Sequence, residues 1–263
     1  MDQYRVKGVH VQHAGPPAQA SKPPLIFVHG GLHGSWNWHR YLPVLSAAGW
    51  ECHALDWFGH HESDDLPTEV FIKRGIADVA EEIGIVAERA GRVPALVGHS
   101  MGGLACLKYA EGNPVAALAL LAPVLPEEIG NPEVPFDVDP ASPWGPPPFE
   151  LAQQMFFGGV AEADARGYYE LLCAESPRCV AEATGKAAVA VNLDAISAPA
   201  LVLVGGEDSL VPADRAQALA GRLDADFQRF PGRSHSLLVD QDAEATASLI
   251  EAWLSARLED ART

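Results

Sequence analysis

Hydrophobic positions follow two rhythms along the chain. Compact apolar runs at Tyr4–Val11, Leu25–His29, Glu51–Asp56, Ala95–Gly98, Ala117–Leu121, Ala200–Val204 and Asp226–Phe230 read as strands. Several of them, such as Leu25-Ile26-Phe27-Val28, are continuous rather than alternating, as expected for parallel strands covered on both faces. Between the runs the period changes. Ile72, Ile76, Val79, Ile83 and Val86 recur at steps of four and three, which predicts one helical face, and Leu249, Trp253 and Ala256 repeat the pattern near the end. Strand-then-helix alternation predicts an α/β fold with a doubly wound, mostly parallel sheet.

One stretch breaks the alternation. Nine of the 21 prolines fall between Pro123 and Pro148, a density that neither a helix nor a central strand tolerates. This predicts an irregular, stiffened connection, followed by helices at Phe149–Phe157, Ala161–Glu175 and Pro177–Ala190. The reading is an α/β core formed by residues 1–122 and 199–263, with residues 123–198 inserted as a cap. An independent binding module is the alternative, disfavoured by the small size and aromatic content of the insert. His13–Pro24 reads as a surface loop.

Composition narrows the function classes. The chain has 263 residues, 48% hydrophobic and 20% charged, enough to bury a sizeable core. A net charge of −17 disfavours nucleic acid and anionic membrane surfaces as partners. No apolar window approaches a membrane span, and the N-terminal MDQYRVKGVHVQ lacks a secretory leader's apolar stretch. Cys52, Cys106, Cys173 and Cys179 show no metal-finger spacing and read as reduced thiols of a cytoplasmic protein, with a Cys173–Cys179 bridge as the alternative. Oligomeric state is not encoded in any pattern found.

The chemistry concentrates in Gly98-His99-Ser100-Met101-Gly102, between an apolar strand and a helical segment. Chance produces roughly 0.1 such G-x-S-x-G pentapeptides in a chain of this composition, so context carries the weight. A sharp strand-to-helix turn lifts the serine above the sheet, and the helix N-terminus behind it favours a developing oxyanion. A serine nucleophile needs a base and a carboxylate to orient that base. Asp208 follows the run Ala200–Val204, and His235 follows Asp226–Phe230, so Ser100, Asp208 and His235 are expected at one sheet edge.

With those residues in place, the chain resembles the α/β-hydrolase fold superfamily, in its branch of serine esterases and C–C bond hydrolases. The resemblance implies a helical cap inserted after the sixth strand of the family's sheet. His29-Gly30-Gly31-Leu32-His33-Gly34-Ser35-Trp36 is similar to the family's oxyanion loop, which implies that the Gly31 and Met101 backbone N–H groups hold the oxyanion. Asp56 to Asp64 resembles the D-x-x-G-H-G-x-S-D loop, with His61 in place of the usual glycine. The Gly30-to-Trp36 run is also similar to plant methylesterases and hydroxynitrile lyases, but the lyases carry lysine after the histidine, where this chain has Ser236.

Plainer roles compete for the same residues. Ser100 could be a small residue in a tight turn, His235 a surface histidine, and Asp208 the N-cap of Val211–Leu219, which would leave Asp194 or Asp226 as the acid. His60 to Asp65 reads as a solvated loop rather than a metal site, and no metal or cofactor is expected. His29 and His99 read as loop-packing residues. Leu32, His33, Trp36, Trp57, Phe58, Trp144, Phe156 and Tyr168 are candidates for an apolar substrate pocket, although Trp144, Phe149, Phe156, Phe157, Tyr168 and Tyr169 could instead form the insert's own core. The expected activity is hydrolysis of a carboxylic ester, lactone or thioester through an acyl-enzyme on Ser100. C–C bond hydrolysis of a diketone-type compound is the alternative, and a non-catalytic small-molecule receptor is the rival from a different class.

Overall fold

In a computed structural model that describes residues 1–15 and 22–260, the strands form one sheet. The strands are β1 (Asp2–Val6), β2 (Val9–Ala14), β3 (Leu25–Val28), β4 (Cys52–Leu55), β5 (Ala95–His99), β6 (Ala117–Leu121), β7 (Ala200–Gly205) and β8 (Asp226–Phe230). Their order is β1-β2-β4-β3-β5-β6-β7-β8, with β2 antiparallel to both of its neighbours, β1 and β4, and every other pair parallel. The helices are α1 (Tyr41–Ala47), α2 (Thr68–Phe71), α3 (Ala80–Ala90), α4 (Met101–Ala110), α5 (Phe149–Phe156), α6 (Glu162–Tyr169), α7 (Pro177–Ala183), α8 (Ala213–Arg222) and α9 (Ala243–Asp260).

Buried strands alternate their side chains between two apolar layers. Ile26, Val28, Leu118 and Leu120 face α3, α4 and α8, while Leu25, Phe27, Ala119 and Leu121 face α1 and α9. The run Tyr4–Val11 is two strands rather than one. Lys7 and Gly8 both take left-handed backbone (φ 48° and 86°), the signature of a two-residue hairpin turn. Among the residues of the expected loop His13–Pro24, His13 and Ala14 extend β2, and residues 16–21 lie outside the described ones.

The helical stripes need two corrections. Ile76, Val79, Ile83 and Val86 are all buried, but extended backbone at Gly75 separates Ile72, at the end of α2, from the 3-10 turn Ile76–Val79 that leads into α3. In α9 the buried line is Ala247, Ile250 and Leu254; Leu249 and Trp253 flank it and Ala256 is exposed. Trp253 stays at the boundary because its indole N–H bonds Asp226 at 2.6 Å.

Between β6 and β7 the proline-rich stretch has neither helix nor strand, and α5 begins where expected. The next two helices are shorter than predicted. α6 stops at Tyr169, and Glu175 then forms an isolated antiparallel bridge with Trp144. α7 stops at Ala183, two residues before Gly185 turns left-handed.

Candidate active site

After the β1–β2 hairpin the run of parallel strands starts at β3, winds outward to β4, and returns across β3 to β5. Strand order therefore reverses between β3 and β5, and in such sheets ligands bind beyond the carboxyl ends at that point. The register pairs Val28 with Gly98. The segments that follow, His29-Gly30-Gly31 and His99-Ser100-Met101, consequently run side by side. A Cβ on Gly30 would stand 3.0 Å from the Ser100 Cβ, and one on Gly31 would strike the Met101 sulfur at 2.5 Å.

Ser100 carries the strain of the turn, with φ 55° and ψ −123°. A non-glycine residue there is held by its surroundings. Its N–H bonds Leu121 and its carbonyl accepts from Gly103 and Val124, all at 2.9–3.0 Å. Gly102 lets α4 close onto β3, for a Cβ there would lie 2.3 Å from the His29 and Val28 carbonyl oxygens. Among the described residues, neither the Gly31 nor the Met101 backbone N–H meets an acceptor, and both residues line the cavity described below.

Asp208 and His235 meet as the sequence predicts. His235 Nδ1 donates to Asp208 Oδ2 at 2.8 Å, and both side chains are almost fully buried. Asp208 does not cap the following helix, which begins at Ala213 with Pro212 as its N-cap; its Oδ1 instead accepts the Leu210 and Val211 N–H groups of the preceding turn at 2.8 and 2.9 Å, one oxygen for the turn and one for the imidazole. Asp194 and Asp226 are elsewhere, paired with Arg222 and with Trp253 and Arg257. His235 packs on His99, the residue before Ser100, with ring centres 4.7 Å apart, and the His99 Nε2–H donates to the His235 carbonyl. Arg233 fixes the same loop through two bonds to Asp240, and Ser234 and Ser236 both donate to the Gly158 carbonyl.

Burial and neighbouring charge move the surrounding histidines in different directions. Burial drives His29 and His99 well below the ordinary range and His33 down to about 4. Each packs a loop: His29 donates to the Gly30 carbonyl, accepts the Trp57 N–H and stacks on the Trp57 ring. His60 is the exception. Burial opposes its charge, yet the Glu175 carboxylate 3.1 Å away raises its pKa and is itself held low in return. The loop of His60 is therefore only partly solvated, with His60 and Ser63 buried and His61, Glu62, Asp64 and Asp65 exposed. His61, at the family's glycine position, is left-handed at φ 45°.

A narrow cavity of about 50 Å³ is lined by Ser100 and walled by Leu32, Phe136, Trp144, Met155, Phe156 and Leu210 among others, with Ser100 and Thr184 the hydroxyls among the described residues that line it. Of the expected pocket residues, Leu32, Trp144 and Phe156 line it. The other five do not. Trp57 is buried under His29, Phe58 packs beneath Arg74, and His33, Trp36 and Tyr168 form a separate stack beside α1. Phe136 and Val134 come from the proline-rich connection, where no periodicity marked them.

Comparison with known proteins agrees with this geometry. A model of the alpha/beta hydrolase family fits residues 25–249. The chain belongs to that family. The rice (Oryza sativa subsp. japonica) esterase PIR7B is 36% identical over 115 residues, 41% of each chain, and tobacco (Nicotiana tabacum) salicylic acid-binding protein 2 is 31% identical over 114 residues. These matches span about two fifths of the length of either relative. RutD of Caulobacter vibrioides, provisionally named a carbamate hydrolase, is 29% identical over 269 residues, covering 94% of this chain and 96% of its own. Among solved structures, a bromoperoxidase from Bacillus anthracis aligns with a TM-score of 0.75 at 17% identity, covering 98% of this chain and 100% of that one. An esterase from Thermogutta terrifontis gives 0.72 at 19%, covering 98% and 99%.

Among the described residues, one group outside the cavity has metal-ligand chemistry. His13 and His53 are cross-strand partners on β2 and β4, and their ring nitrogens lie with a Glu51 oxygen within 4.8 Å of one another. The group sits at the amino end of β4, away from the Ser100 edge, and Arg92 already neutralises Glu51 at 2.5 Å. No described helix is long and apolar enough to cross a membrane, and all four cysteines are free thiols.

Proposed function

We propose that this alpha/beta hydrolase cleaves a carboxylic ester, lactone or thioester of a small, largely apolar substrate through an acyl-enzyme on Ser100. The observation that carries the reading is the buried Asp208–His235 pair packed on His99, the residue before a strained Ser100 that lines an apolar cavity. Ser100 attacks the carbonyl carbon as His235 Nε2 takes its proton, while Asp208 holds the Nδ1–H tautomer. The Gly31 and Met101 N–H groups bind the tetrahedral oxyanion. His235 then protonates the departing alcohol or thiol. A water, deprotonated by the same imidazole, releases the acid and restores Ser100.

Residues 123–198 act as the cap in this reading, since they supply Trp144, Met155 and Phe156 to the cavity wall. The four free thiols are in keeping with a cytoplasmic location. Intact-mass analysis after treatment with a small fluorophosphonate tests the proposal, run beside Ser100→Ala. One adduct on the wild type and none on the variant is expected, with kcat on aryl esters reduced by about 10⁴-fold or more in Ser100→Ala. Turnover retained by Ser100→Ala removes the assignment. A panel of esters, thioesters and vinylogous diketones separates acyl transfer from C–C cleavage. The name of the tobacco relative supports one further reading, a receptor, which ligand-induced protection of the insert without turnover would favour.

A further inference from the structure

The buried ion pair between Glu175 and His60 has no part in the acyl-transfer scheme, yet it touches the loop on which that scheme depends. Glu175 is carried by the insert, after α6, and is 1% exposed. Its Oε1 accepts the Ser176 N–H at 2.8 Å. Its Oε2 accepts two bonds at 3.1 Å, one from the His60 Nε2–H and one from the Leu32 backbone N–H. Leu32 directly follows Gly31, lines the cavity, and has left-handed backbone at φ 64°. A leucine pays for that conformation only where neighbours impose it.

The imposition comes from both sides of the residue. The Leu32 carbonyl accepts the Cys173 N–H at 2.9 Å, so Cys173 and Glu175 grip the two polar groups of Leu32. The Glu175 main chain meanwhile exchanges two hydrogen bonds with Trp144, at 2.8 and 2.9 Å, and Trp144 is a wall of the cavity. One residue thus joins the insert, the cavity wall and the glycine loop. A bare carboxylate so near that loop would oppose an oxyanion. His60 removes the difficulty: its Nδ1 faces the Phe58 carbonyl and its Nε2 faces Glu175, so both ring nitrogens meet acceptors and the ring is an imidazolium.

We propose that Glu175 is a positioning residue for the oxyanion loop: it fixes the Leu32 peptide from the insert side, with His60 as its buried counter-ion, and so couples seating of the insert to assembly of the Gly31 donor. The proposal rests on the ester-hydrolase reading given above. Losing the anchor lets Leu32 relax from its left-handed conformation and carries Gly31 away from its place beside Met101. A donor misplaced by about 1 Å costs on the order of 10²-fold in rate.

The experiment compares Glu175→Gln and Glu175→Ala by two readouts. Glutamine is the neutral isostere: its carbonyl can accept the Leu32 N–H while its amide donates to a neutral His60. Expected results are a kcat on an aryl ester lowered about 10²-fold in Glu175→Ala with KM changed less than threefold, and recovery to within about tenfold of wild type in Glu175→Gln. Amide hydrogen exchange at Leu32, which needs no turnover, should be slow in the wild type and in Glu175→Gln. If Glu175→Ala fails to fold, an intermediate kcat and retained Leu32 protection in Glu175→Gln carry the test. A folded Glu175→Ala with unchanged kcat and unchanged Leu32 exchange overturns the proposal. Absence of turnover and of fluorophosphonate labelling in the wild type, with Leu32 protected only when residue 175 can accept its N–H, overturns the hydrolase reading and leaves the anchor standing.

Discussion

Gly102→Ala isolates what the glycines of the elbow do. The new Cβ would lie 2.3 Å from the carbonyl oxygens of both Val28 and His29 and 2.7 Å from the Val28 carbonyl carbon. These are backbone atoms of β3 and the loop after it, not side-chain tips that can swing aside. Opening the contacts to about 3.0 Å, the shortest that real Cβ atoms tolerate, requires a shift of roughly 0.7 Å between α4 and β3. Such overpacking costs typically 1–3 kcal/mol, offset by up to about 1 kcal/mol from alanine's better helix propensity. Net destabilisation of about 1–2 kcal/mol is expected by urea unfolding. The kinetic effect should be larger, because Met101, whose N–H is one proposed oxyanion donor, is the adjacent residue and moves with the helix. A displacement of this size predicts a fall in kcat of about 10²-fold on an aryl ester, with a matching fall in the rate of fluorophosphonate labelling. Gly112→Ala is the control, since a Cβ there meets nothing within 4 Å and its backbone is not left-handed. If Gly102→Ala matches Gly112→Ala in both unfolding midpoint and kcat, the steric account of the elbow is wrong.

Asp208→Asn keeps a carbonyl oxygen for the Leu210 and Val211 N–H groups but turns an amide donor toward His235 Nδ1; kcat should drop about 10⁴-fold with stability within about 1 kcal/mol of wild type, and a kcat within tenfold would remove Asp208 as the orienting acid. His61→Gly should exceed His61→Ala in stability by about 1 kcal/mol, because both lose the bond to Trp36 at 3.1 Å but only glycine relieves φ 45°; equal urea midpoints would show that the turn is unstrained. Stability should fall between pH 7.5 and pH 5. His33, lowered by burial to about 4, is neutral when folded but protonates near 6.5 when unfolded, so its contribution is intact above 6.5 and is lost as pH falls toward 4; at pH 5 that is about 2 kcal/mol. His29 and His99 act in the same sense, whereas His60, raised by Glu175, keeps its contribution on the acid side. Unfolding midpoints that coincide at the two pH values would contradict the neutral assignment.

The fold was legible because its signals are local. Unbroken apolar runs such as Leu25–Val28 need no distant partner to be recognised, and Gly98 to Gly102 announces a strand-to-helix turn within five residues. Where the reading slipped, a shorter-range event intervened: a two-residue turn at Lys7-Gly8 inside an apolar run, and extended backbone at Gly75 inside a helical stripe. In α9 the buried stripe lies one position on from Leu249 and Trp253, because the Trp253 N–H requires a partner at the surface.

The site divides along the same line. Ser100, Asp208 and His235 each follow a recognisable strand, so chain order and strand ends suffice to bring them to one edge. The cavity wall is different, because proline-rich backbone has no period. Nothing distinguishes Phe136, which lines the cavity, from Phe149, which packs on Tyr169. Residues of the glycine loop after β3 are equally ambiguous: Leu32 faces the cavity while His33, one position on, turns to the Trp36 and Tyr168 stack. Glu175 was least visible of all. In the sequence it is one acidic residue among 35, within a segment expected to be helical. Its meaning arises only when the chain leaves α6 to pair with Trp144 and brings a carboxylate 143 residues back to Leu32. A buried carboxylate must find a cation and donors to survive desolvation, and those it finds are His60 and the Leu32 N–H, so the same requirement that makes it tolerable also ties the insert to the loop.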